Sequence, residues 1–333
     1  DNTTPFVYDL MQLLSQMAQA GCDYVVMEVS SFGLVQHRIG PIHFHAAVFT
    51  NLTQDHLDYH KTMENYYQAK KMLFERCDFA IINTDDAYGE RLMQEATCDR
   101  YAYGSKHTAD YYADAIKLKA SGTSFWFCYG EKSYPITMRM AGMFNVANAV
   151  AAMAVCLELG FSISRIQPVM EACTGVRGRC ELIPTGKDFS VICDYAHTPD
   201  AIENILSSVK EYTEGRLICL FGCGGNRDKT KRPKMAQAAA KYADFLMITS
   251  DNPRDEEPQA IVDDILTGLQ GTDVPYQVVL DRKEAILESM RLAKKGDVIV
   301  LAGKGHEDYQ VLAGGVHIHM DEREIVRDCL PLL

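Results

Sequence analysis

Between residues 190 and 302 the chain alternates between short apolar runs and amphipathic stretches, and this rhythm restricts the fold more than any other feature. The apolar runs cover 190–195, 216–223, 245–250, 277–280 and 298–302; the stretches 199–212, 233–242, 258–269 and 283–293 between them carry helical periodicity. Strands that read as nearly unbroken apolar segments are those covered by helices on both faces. The pattern therefore predicts a doubly wound, mostly parallel α/β sheet. In such a sheet ligands sit at the carboxyl ends of the strands. Two polar loops fall there: Asp251-Asn252-Pro253-Arg254 and Gly303-Lys304-Gly305-His306-Glu307. The first brings an arginine able to hold a carboxylate through two hydrogen bonds, the second a carboxylate. Together they suit a ligand carrying both carboxylates and amines, although two solvated surface turns would have the same spacing.

The first half also alternates strand and helix. Residues 23–29, 45–51 and 79–83 read as strands, with a helical stretch at 63–77 between the last two. From 111 to 138 the pattern changes to short alternating runs rich in aromatic and β-branched residues, which predicts a small antiparallel sheet. Helices are expected at 145–159 and 162–172, and the Gly- and Arg-rich segment Thr174-Gly175-Val176-Arg177-Gly178-Arg179 marks a domain boundary. Two domains, 1–176 and 177–333, agree with the length of 333 residues. At the front, Asn2-Thr3-Thr4-Pro5 precedes an amphipathic pattern of Tyr8, Leu10, Met11, Leu14 and Met17, which reads as a helix start with a capping residue and an early proline. A chain that opens on Asp1 inside such an element is expected to lack an N-terminal portion.

A net charge of −12 argues against general nucleic-acid binding, while leaving room for a local basic pocket. The eleven cysteines are scattered, and no C-x-x-C pair occurs, which suits the reduced thiols of a cytoplasmic protein. No apolar run reaches membrane-spanning length and no signal peptide opens the chain, so no membrane insertion is expected.

Several constellations could carry chemistry. Glu28-Val29-Ser30-Ser31 places a carboxylate and hydroxyls at a strand end, suited to Mg²⁺ or a phosphate, though a solvated glutamate is common there. The run Asn51-Leu52-Thr53-Gln54-Asp55-His56-Leu57-Asp58-Tyr59-His60 fits metal binding or acid–base work, or a polar turn with a helix cap. Lys70 and Lys71 follow on a helix; a partly buried lysine beside a metal can lose its proton and add CO₂ as a carbamate. Asp194-Tyr195-Ala196-His197-Thr198-Pro199 ends a strand and caps a helix. Gly222-Cys223-Gly224-Gly225-Asn226-Arg227-Asp228-Lys229 follows a strand but breaks the dinucleotide fingerprint at Arg227. No G-x-x-x-x-G-K-[ST] loop is present to cradle a triphosphate. His317 and His319 could chelate a metal, and no role is attached to them.

Taken together, N-T-T-P at 2–5, E-V-S-S at 28–31, N-L-T-Q-D-H-L-D-Y-H at 51–60, Ala69-Lys70, D-Y-A-H-T-P at 194–199, G-C-G-G-N-R-D at 222–228, D-N-P-R and G-K-G-H-E resemble the Mur ligases. These are ATP-dependent amide-forming enzymes of bacterial cell-wall synthesis, and the resemblance extends over essentially the whole chain, nearest to the diaminopimelate-adding members. It implies a P-loop-NTPase-like central domain, truncated at its start, at 1–176. A Rossmann-like C-terminal amino-acid-binding domain follows at 177–333. A uridine-nucleotide domain and the phosphate loop have no counterpart in these residues, so the chain alone is expected to bind ATP poorly and not to turn over.

The implied reaction phosphorylates the D-Glu carboxylate of UDP-MurNAc-L-Ala-D-Glu with ATP, and the amine of meso-diaminopimelate then attacks the acyl phosphate. By the same resemblance, Mg²⁺ is held by Glu28, His56 and a carbamate on Lys70, the three residues assigned to catalysis. Asn145, Arg179, Asp194 and His197 match positions near ATP. Thr3, Thr4, Ser30, Gln36 and Arg38 match positions that hold the muramoyl-dipeptide nucleotide. Arg227, Asp251, Asn252, Arg254, Gly303 and Glu307 form the diaminopimelate pocket, with Arg254 pairing the distal carboxylate. The protein is expected to be a cytoplasmic monomer. Two alternatives stay open: another Mur or folylpolyglutamate-type ligase, and a catalytically silent fragment acting as a binding module.

Overall fold

The computed structural model describes residues 3–53, 56–119 and 122–333. Asp1, Asn2, Gln54, Asp55, Ala120 and Ser121 lie outside the described residues, as does the side chain of Asp58, so those members of the motifs are not placed. The chain forms two compact units, one of Asp1–Ala115, Trp126–Pro135 and Val146–Ile166, the other of Ile116–Phe125, Ile136–Asn145 and Gln167–Leu333.

The first sheet has the order β1(Phe44–Phe49), β2(Cys77–Asn83), β3(Asp99–Gly104), β4(Tyr111–Lys119), β5(Gly122–Tyr129), β6(Lys132–Met138). β1 to β4 pair in parallel. The small sheet expected over 111–138 is present as β4, β5 and β6, and it is joined to the preceding strands: β4 pairs in parallel with β3 at Tyr103↔Tyr111 and Gly104↔Tyr112, so these strands continue the first sheet. β4 covers the end of the β3 edge, and the Ala102 N–H on that edge donates to Asp110 Oδ2 at 2.7 Å.

Residues 23–29 are also corrected. They form no strand, and Tyr24, Val25 and Val26 are 60%, 44% and 97% exposed. β-branched composition favours an extended backbone, but a strand needs a ladder partner. The helix expected over 63–77 stops at Met63–Lys71, because the chain turns before entering β2. The first helix, Val7–Gln19, is capped by Phe6 without a side-chain bond; Thr4 is turned away into the hydrogen bonds described below.

The second sheet bears out the alternating pattern. Its order is β11(Tyr276–Val278), β10(Phe245–Ile248), β9(Leu217–Phe221), β12(Val298–Ala302), β8(Ser190–Asp194), β7(Glu181–Ile183), with all pairs parallel except β7 with β8. Alternate residues serve opposite faces. Cys219, Phe221, Val298 and Val300 pack with the helices Pro199–Lys210, Lys231–Ala240 and Pro258–Leu266. Ile218, Leu220, Ile299 and Leu301 pack with Arg282–Leu292 and Glu322–Cys329. β7, the last helix, and the antiparallel pair β13(Tyr309–Val311) and β14(His317–His319) have no counterpart in the sequence reading.

Candidate active site

Four adjacent strands, β10, β9, β12 and β8, end on one side of the second sheet, and the loops that follow them enclose a cavity of about 410 Å³. The six residues expected to hold an amino acid, Arg227, Asp251, Asn252, Arg254, Gly303 and Glu307, all line it. Tyr195, His197, Lys231, Tyr309 and the backbone run Gly222-Cys223-Gly224 also line it. Cations and carboxylates thus face one space, as the opening of a doubly wound sheet at its strand ends allows.

The loops are tied to each other as well as to the sheet. Asn252 Oδ1 accepts from Lys304 Nζ at 2.5 Å and from the Val311 N–H at 2.9 Å, while Asn252 Nδ2 donates to Glu307 Oε2 at 3.2 Å. Arg254 adopts a left-handed backbone, φ 51°, and its N–H donates to Val311 O at 3.1 Å. Its Nη1 donates to Gly225 O at 2.9 Å. Gly303 has φ +118°, and a Cβ there would lie 3.1 Å from Asp251 Oδ2. Gly303→Ala is expected to lower stability by about 1–3 kcal/mol through this backbone strain; urea unfolding measures it, and an unchanged midpoint would refute the strain.

Beneath the loops lies a fully buried pair that the sequence reading missed. Arg282 and Glu322 are both 0% exposed and 2.8 Å apart. Arg282 also donates to Ser250 O at 3.1 Å and Ala302 O at 2.8 Å, the last carbonyls before Asp251 and Gly303. The signal was present: Arg282 shares the buried stripe of Ala285, Ile286, Ser289 and Met290, and Glu322 that of Ile325, Val326 and Cys329. A charge on an apolar stripe implies a buried partner. Lys304, 0% exposed, was passed over although it stands between two residues of the expected pocket.

Of the residues expected near ATP, three surround Tyr195. The Arg179 guanidinium lies 5.1 Å from its ring centroid and the His197 ring 4.7 Å away. The neighbouring Asp194 accepts from the Cys180 N–H at 2.7 Å and the Ala196 N–H at 2.8 Å. Burial pushes the Asp194 carboxyl above its ordinary value, opposed by these two N–H groups and by Arg179. Asn145 stands apart from the three in its recorded bonding: its amide donates to Ala141 O at 2.8 Å.

In the first unit, four of the five residues expected to hold the muramoyl nucleotide form one bonded cluster. Thr4 Oγ1 accepts from the Ser30 N–H at 2.9 Å and donates to Glu28 O at 3.2 Å. Arg38 donates to Thr4 O at 3.1 Å and, from Nε and Nη2, to Gln36 Oε1 at 2.9 and 2.5 Å. Ser30 caps the short helix Ser31–Val35 through the Gly33 N–H. Thr3 is exposed.

Glu28 and Lys70 line a second cavity, of about 530 Å³. Lys70 Nζ donates to Val29 O at 3.3 Å. Burial pushes its ammonium below the ordinary lysine value, and the Glu28 charge opposes that shift. His56 does not line this cavity; its ring packs on Phe32 at 5.2 Å and Tyr66 at 5.9 Å. Among the described residues no group of three or more His, Cys, Asp or Glu side chains is arranged to hold a metal. His319 pairs with Glu324 at 2.6 Å, and His317 stacks on Tyr309.

Residues 1–156 match the family model of the Mur ligase middle domain, and residues 178–305 that of the Mur ligase, glutamate ligase domain. The UDP-N-acetylmuramoyl-L-alanyl-D-glutamate–2,6-diaminopimelate ligase 1 of Clostridium acetobutylicum is 48% identical over 328 residues, covering 98% of this chain and 67% of the relative. The ligase of the same name, without the number, from Syntrophomonas wolfei is 44% identical over 335 residues, covering 99% and 68%. A solved structure of a UDP-N-acetylmuramoyl-L-alanyl-D-glutamate–2,6-diaminopimelate ligase superimposes with a TM-score of 0.75 at 35% identity, covering 99% of this chain and 69% of that one.

Proposed function

Because this chain belongs to the Mur ligase family, we propose that it serves the ATP-dependent addition of meso-2,6-diaminopimelate to UDP-MurNAc-L-Ala-D-Glu. The observation that carries this reading is the convergence of Arg227, Asp251, Asn252, Arg254, Gly303 and Glu307 on one cavity. Diaminopimelate bears two amines and two carboxylates, and the cavity offers guanidinium groups for the latter and carboxylates for the former. An incoming amine must also be held where it can reach an activated carboxylate, and a wall braced by loop-to-loop hydrogen bonds limits its freedom.

We assign the Thr4, Ser30, Gln36 and Arg38 cluster, with Thr3, to the muramoyl nucleotide, and Asn145, Arg179, Asp194 and His197 to ATP. Phosphoryl transfer requires charge neutralisation more than covalent help. Glu28, His56 and Lys70 as its carbamate are the residues we assign to Mg²⁺, which when bound supplies that neutralisation. The shared cavity and the depressed Lys70 ammonium favour the first and last of these. No helix among the described residues is long and apolar enough to cross a membrane; a cytoplasmic monomer acting on soluble precursors is the proposed setting.

Calorimetric titration of the chain with meso-diaminopimelate and with L-lysine tests the reading. Binding of the first alone is expected. Equal binding of lysine would remove the specificity while leaving the family, and no binding of either would remove the assignment of this cavity.

A further inference from the structure

Lys304 is buried without exposure between the two polar loops of the amino-acid cavity. An ammonium has three N–H donors. Its partners are Asn252 Oδ1 at 2.5 Å, Tyr309 O at 2.8 Å and Glu307 Oε2 at 3.4 Å, which occupy all three. Asp251 Oδ1 lies 3.3 Å away and makes no hydrogen bond, so its attraction to Lys304 is one of charge alone. Together with the Val311 N–H, Lys304 holds the Asn252 carbonyl oxygen and so leaves Nδ2 toward Glu307.

We propose that Lys304 is a positioning residue for the incoming amino acid. It joins the Asp251–Arg254 loop to the Gly303–Glu307 loop and orients Asn252. It also sets one positive charge 3.3 Å from Asp251 Oδ1 and 3.4 Å from Glu307 Oε2, which offsets the repulsion between these two carboxylates. This inference rests on the reading of the cavity as the diaminopimelate site. Lysine suits the task because its charge is compact and its donors rotate to three acceptors on different loops, which the planar fork of arginine does not allow.

The test is calorimetry with meso-diaminopimelate on the wild-type chain, Lys304→Met, Asn252→Ala and the double variant, with thermal unfolding measured on each. Lys304→Met is expected to bind at least about 30-fold more weakly. Because Lys304 acts partly through Asn252, the double variant should bind more tightly than the product of the two single losses predicts, as coupled neighbours do. A folded Lys304→Met that binds like the wild type overturns the proposal, and so do losses that simply multiply. A wild-type chain that does not bind removes the ligand reading and this inference with it. If Lys304→Met does not fold, the wild-type Lys304 ¹⁵Nζ resonance decides: it is expected to shift on saturation with diaminopimelate, and an unmoved resonance overturns the proposal.

Discussion

Arg254→Ala is expected to abolish the preference for meso-diaminopimelate over L-lysine, a discrimination on the order of 10⁴-fold in the unsubstituted protein. The two ligands share one amino-acid end, and lysine lacks the distal carboxylate. A site built to hydrogen-bond a group that the ligand lacks is left with unpaired donors, and the cost of that is large. Arg254 spends Nη1 on Gly225 O, and its backbone is held by Val311, so the position of the guanidinium is set before any ligand arrives. Removing the side chain therefore removes recognition and leaves the loop in place. Calorimetric titration of the variant and of the unsubstituted chain with each amino acid measures the ratio. A variant that still prefers diaminopimelate by more than about 100-fold would place recognition of the distal carboxylate elsewhere.

Glu322→Ala is expected to destabilise the second unit by about 3–5 kcal/mol, because it leaves the Arg282 guanidinium buried without its countercharge. Both side chains are 0% exposed, so water cannot take the place of the lost partner. The double variant Arg282→Met/Glu322→Leu should cost less than either single loss, since no charge is then stranded. It should still loosen the cavity, as the carbonyls of Ser250 and Ala302 lose a shared donor. Urea unfolding of the three variants is the measurement. A loss below about 1 kcal/mol for Glu322→Ala would mean that the pair is solvated in solution.

Much of the pocket was legible because its residues sit in short motifs at strand ends, and strand ends are visible as the close of an apolar run. The loops that carry Asn252, Arg254, Gly303 and Glu307 were placed that way, their assignment to one pocket came from the resemblance to the Mur ligases, and the cavity contains all four. Lys304 was not assigned with them, since a lysine in a glycine-flanked loop does not announce its burial, and Arg282 was legible only through the stripe it shares with Ala285, Ile286, Ser289 and Met290. His56, chosen with Glu28 and Lys70, packs on aromatic rings outside the cavity those two share.

The alternation of strand and helix from residue 190 onward is written in local periodicity, which records which face of each element meets the core. Long-range packing settled that β12 inserts between β9 and β8, and that β4 to β6 extend the first sheet. It also decided that 23–29 stays outside any ladder. These depend on pairings between residues far apart in the chain, which no local pattern encodes. The same holds for the buried cations: Arg282 reaches Glu322 across forty residues, and Lys304 reaches Asn252 across fifty-two. Their charges are tolerated in the interior because folding brings each to its acceptors.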